Sequence, residues 1–175
     1  MVTIQSLIRR DVILERNYLK HKRILIVDDE PDVLETLEDL LGMCDVVKAS
    51  DFDSAKELLE VQYFDMAILD IMGVDGYKLL EIANKRDVMA VMLTAHALSP
   101  EDTVKSFKEG AAYYVPKDKI SDIVTYLNDV LEAKEKGEKF WWRWLDRFAY
   151  FYDEKFESDW KDKDVEFWKN FSGGL

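Results

Sequence analysis

Short apolar runs alternate with stretches of helical periodicity through most of this chain, and this alternation strongly limits the possible folds. The apolar runs occupy residues 24–27, 46–47, 66–69, 88–93 and 111–115. The helical stretches follow them in turn, at residues 31–41, 53–61, 77–84, 100–109 and 120–136. Continuous apolar runs are typical of strands buried on both faces, as in parallel sheets. We therefore predict an α/β fold, a doubly wound five-stranded parallel sheet with helices on both faces.

Polar side chains stand where these predicted strands end. They are Asp28 and Asp29 after the first strand, Asp70 after the third, Thr94 after the fourth and Lys117 after the fifth. Ligands of open α/β sheets bind outside the carboxyl ends of the strands. We therefore expect these five side chains to form one site at that edge of the sheet.

The predicted site combines three carboxylates with a hydroxyl and an ammonium group. Carboxylates gathered this closely repel one another unless a cation is present, and a set of oxygen ligands suits Mg²⁺. A carboxylate can attack phosphorus to form an aspartyl phosphate, while a metal ion and a lysine neutralise the developing charge. The residue types therefore indicate phosphoryl transfer to an aspartate with Mg²⁺ as cofactor.

Four segments of the chain carry a resemblance to a known family. Residues 24–31, 67–72, 93–95 and 110–117 resemble the acidic pair, the phosphoacceptor strand, the hydroxyl motif and the lysine strand of response-regulator receiver domains. The resemblance covers residues 23–137 and implies the flavodoxin-like version of the predicted fold. It also implies a role in two-component signal transduction.

The resemblance implies a role for each site residue. Asp70 would accept the phosphoryl group and Lys117 would bind it. Asp29 and Asp70 would hold Mg²⁺ directly, Asp28 would hold it through water, and the backbone carbonyl of Met72 would complete the protein's ligands.

The resemblance also makes Thr94 and Tyr114 a coupled switch pair, in which the tyrosine changes rotamer as the threonine moves toward the phosphoryl group. The sequence departs from the family pattern in two places. The loop after Asp70 is shorter than usual and lacks a proline. Lys117 is followed by Asp118 instead of proline, and because a cis bond without proline costs roughly 3 kcal/mol, we expect a trans bond there.

Charge and sequence pattern limit the expected partners. The formal net charge of −12 argues against binding to nucleic acid or to an anionic membrane, since both require clustered basic residues. No uninterrupted apolar run reaches the length of about 18 residues that a transmembrane helix needs, and no secretory signal is recognisable. The single cysteine, Cys44, allows no intrachain disulfide. These features predict a cytoplasmic protein.

Two segments flank the predicted receiver region. The pattern of residues 1–22 predicts an irregular amphipathic helix. The pattern of residues 138–175 predicts an aromatic-rich helical tail, which contains all five tryptophans. One helical face of the tail comprises Trp141, Trp144, Leu145, Phe148, Phe151, Tyr152 and Phe156. The tail is too short for a winged-helix DNA-binding domain, and it is not basic. It either folds back to enlarge the core or offers a surface to a second copy or another protein; an interfacial membrane helix and stacking on nucleic acid are less favoured.

The sequence thus predicts a receiver that accepts a phosphoryl group on Asp70 from a histidine kinase or phosphotransfer protein and signals by protein–protein contact. We do not expect an enzyme that turns over a separate metabolite. The main alternative is a receiver-like interaction module that is not phosphorylated. A phosphatase with an aspartyl nucleophile would need a second acid where this chain has Met72, and a flavin-binding domain would need a Ser/Thr-rich loop after the first strand.

Overall fold

The computed structural model describes residues 17–95, 99–156 and 159–172, without the side chains of residues 141, 142, 163 and 170–172. Its strands are β1 (Arg23–Val27), β2 (Asp45–Ala49), β3 (Met66–Asp70), β4 (Met89–Thr94) and β5 (Tyr113–Pro116). Its α-helices are α1 (Pro31–Leu40), α2 (Phe52–Val61), α3 (Gly76–Lys85), α4 (Pro100–Lys108), α5 (Ile123–Lys136), α6 (Phe140–Phe156) and α7 (Val165–Ser172). Short 3₁₀ helices span Lys117–Asp122 and Trp160–Asp164.

The five strands form one parallel sheet in the order β2-β1-β3-β4-β5, which confirms the predicted architecture. The largest differences from prediction lie at the two edge strands. β2 is longer than expected because it includes the exposed charged residues Asp45 and Lys48 on either side of its two half-buried valines. β5 begins at Tyr113, after Ala111 and Ala112, and ends one residue later than expected at Pro116.

Helix starts near the carboxyl edge of the sheet are specified by local sequence. α1 and α4 each begin with a proline, whose fixed φ suits the first helical turn. The Asp51 carboxylate accepts the Ser54 N–H at the start of α2, and the Ser99 hydroxyl accepts the Asp102 N–H at the start of α4. These caps satisfy backbone donors that have no partner within the helix.

The chain before β1 is a turn across residues 18–21, not the end of a helix, and residues 1–16 of the predicted N-terminal extension lie outside the described part. Leu19 is fully buried, and its carbonyl accepts a hydrogen bond from Cys44 Sγ at 3.3 Å. The Tyr18 N–H donates to Asn128 Oδ1 at 3.0 Å. These contacts fix the turn against β2 and α5.

The aromatic tail folds back onto the sheet and joins its core. α5 ends at Gly137, whose φ of 68° lies in the left-handed region that commonly ends a helix. Trp144, Phe148, Tyr152 and Trp160 of the tail are almost completely buried in the same apolar cluster as the strands. The structure therefore supports the interpretation that the tail enlarges the core.

Charged groups fasten α6 to α5 beside this aromatic contact. The Arg147 guanidinium makes two hydrogen bonds to Asp129, one of them from Nη2 at 3.0 Å, and Asp129 is buried. Arg143 Nη1 donates to Glu132 Oε2 at 2.7 Å. The bidentate contact between Arg147 and Asp129 fixes the orientation of the two side chains as well as attracting them to each other. Among the described helices, none combines the length and the apolar character needed to cross a bilayer.

Candidate functional site

Acidic side chains converge at the carboxyl edge of the sheet, as predicted. Val27 of β1 pairs with Leu69 of β3, so Asp28 and Asp70, the residues that follow this pair, are neighbours. Both are nearly inaccessible, with 0% exposure at Asp28 and 4% at Asp70, whereas Asp29 is exposed. The edge therefore presents two buried carboxylates and one that faces solvent.

Lys117 reaches into this acidic group from the end of β5. Its Nζ lies 2.8 Å from Asp28 Oδ2, 2.7 Å from Glu30 Oε1 and 3.3 Å from Asp70 Oδ1. Although burial opposes its charge, the hydrogen bonds to Asp28 and Glu30 and the nearby negative charges raise the pKa of Lys117 above its ordinary value. The lysine therefore lies against three acidic side chains that favour its charged form.

The two oxygens of Asp28 have different surroundings. Oδ1 accepts the backbone N–H of Glu30 at 3.0 Å. Oδ2 is buried and forms an ion pair with the Lys117 ammonium, 2.8 Å away. Burial raises the pKa of Asp28, and the lysine opposes that rise. The two oxygens of this carboxylate are thus held by different groups, a backbone N–H and an ammonium.

The shortened loop after β3 brings a backbone donor onto Asp70. The Gly73 N–H donates to Asp70 Oδ2 at 2.8 Å, so the two oxygens of this carboxylate contact different groups, Gly73 and Lys117. A β-carbon at position 73 would lie 2.7 Å from Asp70 Oδ2 and only 2.1 Å from Asp29 Oδ1. Glycine is therefore required for the loop to lie this close to both carboxylates.

These residues meet the requirements for a hard metal ion. One oxygen each from Asp28, Asp29 and Glu30 lies within 4.8 Å of the others. Asp29 and Asp70 also face the same space beside Gly73, where a larger residue would not fit. A set of carboxylate oxygens, those of Asp29 and Glu30 exposed, suits Mg²⁺, which keeps several waters when bound to proteins. The Met72 carbonyl stays a predicted ligand.

Thr94 occupies the predicted place at the same edge. It ends β4 with 5% exposure, and the register places Leu93 beside Asp70 and Thr94 beside Pro116. The hydroxyl-bearing residue therefore lies between the strand of Asp70 and the strand that leads to Lys117.

Tyr114 lies away from the acidic group, within the contact between sheet and tail. It is paired with Met92, two residues before the end of β4, and is completely buried. Its ring centroid is 6.4 Å from that of Trp144, and its carbonyl accepts the Trp144 Nε1–H at 2.9 Å. Its predicted role as a partner of Thr94 stays a prediction.

Glu30 and Gly73 belong to the site but were not predicted from the sequence. Glu30 continues the acidic run after Asp29, a signal that pointed equally well to a helix start. Gly73 lies in the loop after β3. The path of that loop depends on how many residues it contains, and no residue pattern in the sequence indicates which backbone N–H of the loop will face Asp70. The bond after Lys117 is trans as expected, since no cis peptide bond occurs among the described residues.

Residues 24–128 match the family model of the response regulator receiver domain. A two-component response regulator of Arabidopsis thaliana is 38% identical over 101 residues, covering 54% of this chain and 16% of the relative. A heme response regulator of Staphylococcus aureus (strain Newman) is 37% identical over 99 residues, covering 53% of this chain and 43% of the relative. The chain thus spans less than half the length of these relatives.

Solved structures of similar fold belong to the same group. A CheY-like response regulator receiver domain protein from Methanospirillum hungatei has 29% identity and a TM-score of 0.60, covering 67% of this chain and 98% of that one. A putative response regulator from Chloroflexus aurantiacus has 27% identity and a TM-score of 0.58, covering 65% and 99%. The similarity therefore takes in nearly the whole of those two chains and about two thirds of this one.

Proposed function

The chain belongs to the family of response regulator receiver domains, and we propose on that basis that it accepts a phosphoryl group on Asp70 from a histidine kinase or phosphotransfer protein. The contact of Lys117 with both Asp28 and Asp70 carries this proposal, because it holds a cation against the carboxylate that would react. Phosphoryl transfer depends mainly on positioning and charge neutralisation. This site offers both.

The proposed reaction is a displacement at phosphorus. An Asp70 carboxylate oxygen forms a bond to the phosphorus of a phosphohistidine, while the bond from phosphorus to the imidazole nitrogen breaks. The imidazole nitrogen keeps the electron pair and takes up a proton, and Asp70 becomes an acyl phosphate. Lys117 neutralises charge on the transferred oxygens, and the Gly73 N–H, which already donates to Asp70, is placed to help orient the carboxylate.

Asp29 and Asp70 would hold Mg²⁺, with Asp28 contributing through water and the Met72 carbonyl completing the set. Bound there, the ion supplies positive charge that offsets the repulsion between the acidic residues and the incoming phosphoryl group. Glu30 has a different role in this proposal, because its contact with Lys117 keeps the ammonium at the mouth of the site. Thr94 would donate its hydroxyl to the phosphoryl group.

We infer that the output is a change in protein contacts rather than binding to DNA. The tail is acidic, and its described aromatic residues are largely packed into the core instead of forming a basic recognition surface. The proposal places the reaction in the cytoplasm, where a kinase has access to ATP. Receiver domains are generally signalling modules, and we do not assign a separate metabolite as substrate.

Intact-mass measurement with acetyl phosphate tests this function. We expect a gain of one phosphoryl group that requires Mg²⁺, is prevented by a chelator and is lost in Asp70→Asn. Asp75→Asn is the matched control, because this exposed aspartate lies in the same loop and pairs only with Lys78 among the described groups. Its left-handed backbone, with φ of 55°, also accommodates asparagine.

A folded protein that gains no phosphoryl group from acetyl phosphate or from a kinase would support the alternative, a receiver-like interaction module. One observation favours that alternative: both Asp70 oxygens already contact protein groups, Lys117 and the Gly73 N–H. Loss of the adduct in Asp75→Asn as well as in Asp70→Asn would show that the assay reports loop integrity instead of the phosphoacceptor.

A further inference from the structure

Glu30 occupies the N-cap position of α1, but its side chain does not cap the helix. Glutamate is not among the residues preferred there, which are Ser, Thr, Asp and Asn, because their short side chains accept the N–H groups of the first turn. Asp51 and Ser99 do this for α2 and α4. The Glu30 carboxylate instead accepts a hydrogen bond from Lys117 Nζ at 2.7 Å. The start of α1 therefore lacks a side-chain cap, and the carboxylate contacts the site.

The contact between Glu30 and Lys117 crosses the carboxyl edge of the sheet. Glu30 follows β1 and Lys117 follows β5, and the strand order places β3 and β4 between them. Neighbouring strands lie about 4.8 Å apart, so the ends of β1 and β5 are separated by roughly 14 Å. Two long side chains are needed to meet across this distance. A side chain one methylene shorter at position 30 would lose the contact unless the lysine moved.

Three carboxylates surround the Lys117 ammonium, which carries three N–H donors. Asp28 and Glu30 lie 2.8 and 2.7 Å from Nζ, and Asp70 lies farther away at 3.3 Å. In the proposed reaction Asp70 becomes an acyl phosphate, so its charged oxygens are replaced by those of the phosphoryl group. Asp28 and Glu30 remain carboxylates throughout. They are therefore the two contacts of the ammonium that do not change while the third passes from Asp70 to the phosphoryl group.

Asp28 alone would fix the ammonium less firmly than Asp28 and Glu30 together. Lysine has a flexible four-carbon stem, and a single contact leaves the ammonium free to turn about the line from Nζ to Asp28 Oδ2. The second contact removes that freedom. Fixing a reacting group before the substrate arrives reduces the entropy lost during the reaction. Because the Glu30 side chain is 58% exposed, we expect its loss to affect the reaction rather than the packing of the fold.

We propose that Glu30 is a positioning residue, which fixes Lys117 beside Asp70 and thereby sets the rate at which Asp70 is phosphorylated. This inference rests on the proposed function. Glu30 acts through Lys117 and not on the phosphoryl group itself. The length of its side chain is the decisive property, because the carboxylate has to reach the lysine from the start of α1. A negative charge held closer to α1 does not replace it.

Glu30→Asp separates the positioning of Lys117 from the stability of the fold. Aspartate keeps the negative charge and is preferred at the N-cap, but its side chain is one methylene shorter. We expect the free energy of unfolding to stay the same or to rise. The rate of phosphorylation by acetyl phosphate with Mg²⁺ should fall by about two- to tenfold, the factor that corresponds to one typical hydrogen bond. Intact mass recorded over time measures the rate, and denaturant unfolding measures the stability.

Glu30→Gln and Asp32→Asn complete the experiment. Glutamine keeps the length of the side chain and an acceptor oxygen but removes the charge, so its rate should lie closer to that of the parent protein than the rate of Glu30→Asp does. Asp32 is an exposed carboxylate in the first turn of the same helix, and Asp32→Asn should leave the rate unchanged. A slower rate in Glu30→Gln than in Glu30→Asp would overturn the proposal, because charge and not reach would then be decisive.

The parent protein in the same assay separates this inference from the proposed function. If the parent gains no phosphoryl group, the proposed function fails and the role of Glu30 fails with it. If the parent and Glu30→Asp are phosphorylated at the same rate, Asp70 stands as the phosphoacceptor and the role of Glu30 is wrong. A slower rate accompanied by a loss of stability would also overturn the proposal, because Glu30 would then be needed for the fold.

Discussion

Trp144→Ala is expected to lower the free energy of unfolding by about 3–5 kcal/mol, the range found when a buried large aromatic is truncated. The indole is completely buried between Phe107, Phe148 and Tyr152, with ring centroids 5.2–5.5 Å away. Its loss leaves a cavity and removes the N–H that Tyr114 accepts. Denaturant unfolding followed by circular dichroism and by the remaining tryptophans measures the change.

Tyr150→Ala is the matched control for this experiment, because its ring lies on the same helix and is 73% exposed. We expect that substitution to change stability by no more than about 0.5 kcal/mol. Coincident transitions by the two probes would show that tail and sheet unfold as one unit. A change below about 1 kcal/mol in Trp144→Ala would contradict the role of the tail as part of the core.

Gly73→Ala is expected to weaken Mg²⁺ binding by on the order of 10- to 100-fold, as when the support of a metal ligand is disturbed. The added methyl group would lie 2.1 Å from Asp29 Oδ1, which is closer than any such contact can be. Because Asp29 is exposed and can move aside, the protein should stay folded while its metal ligand is displaced. Titration calorimetry with Mg²⁺ measures the affinity without requiring phosphorylation.

Gly42→Ala provides the matched control for Gly73→Ala. A β-carbon at position 42 would meet its nearest atom, the Asp39 carbonyl oxygen, at an ordinary 3.6 Å. This substitution should leave Mg²⁺ binding unchanged. Equal Mg²⁺ affinity in both variants and the parent protein would show that the space beside Gly73 is not where the ion binds.

The sheet and the position of the site could be predicted because each depends on local sequence. Buried strands need apolar runs, and parallel strands bring their carboxyl ends to one edge, so Asp28, Asp70 and Lys117 had to be neighbours. Edge strand β2 was harder to delimit because Lys48 interrupts its apolar residues. Residues 117–122 were assigned in part to a helix, but form a 3₁₀ turn before α5.

Other features depend on distances that sequence spacing does not contain. The contact of Glu30 with Lys117 joins residues 87 positions apart, and that of Tyr152 with Thr103 joins residues 49 positions apart. The amphipathic pattern of the tail indicated an apolar face but left open what would cover it. Only the folded chain shows that this face lies on β5 and α4, next to the residue pair predicted as a switch.

The covered edge of β5 also has a consequence for synthesis of the protein. Residues 138–172 follow the sheet in the chain, so β5 is made before the helix that covers it. Forty residues separate the end of β5 at Pro116 from the end of α6 at Phe156. At translation rates of about 5–20 residues per second, this interval lasts roughly 2 to 8 s. During that time the nascent sheet has an uncovered strand edge beside Tyr113 and Tyr114. Because an uncovered strand edge pairs readily with other chains, we expect nascent chains to misassemble through β5 until the tail is made.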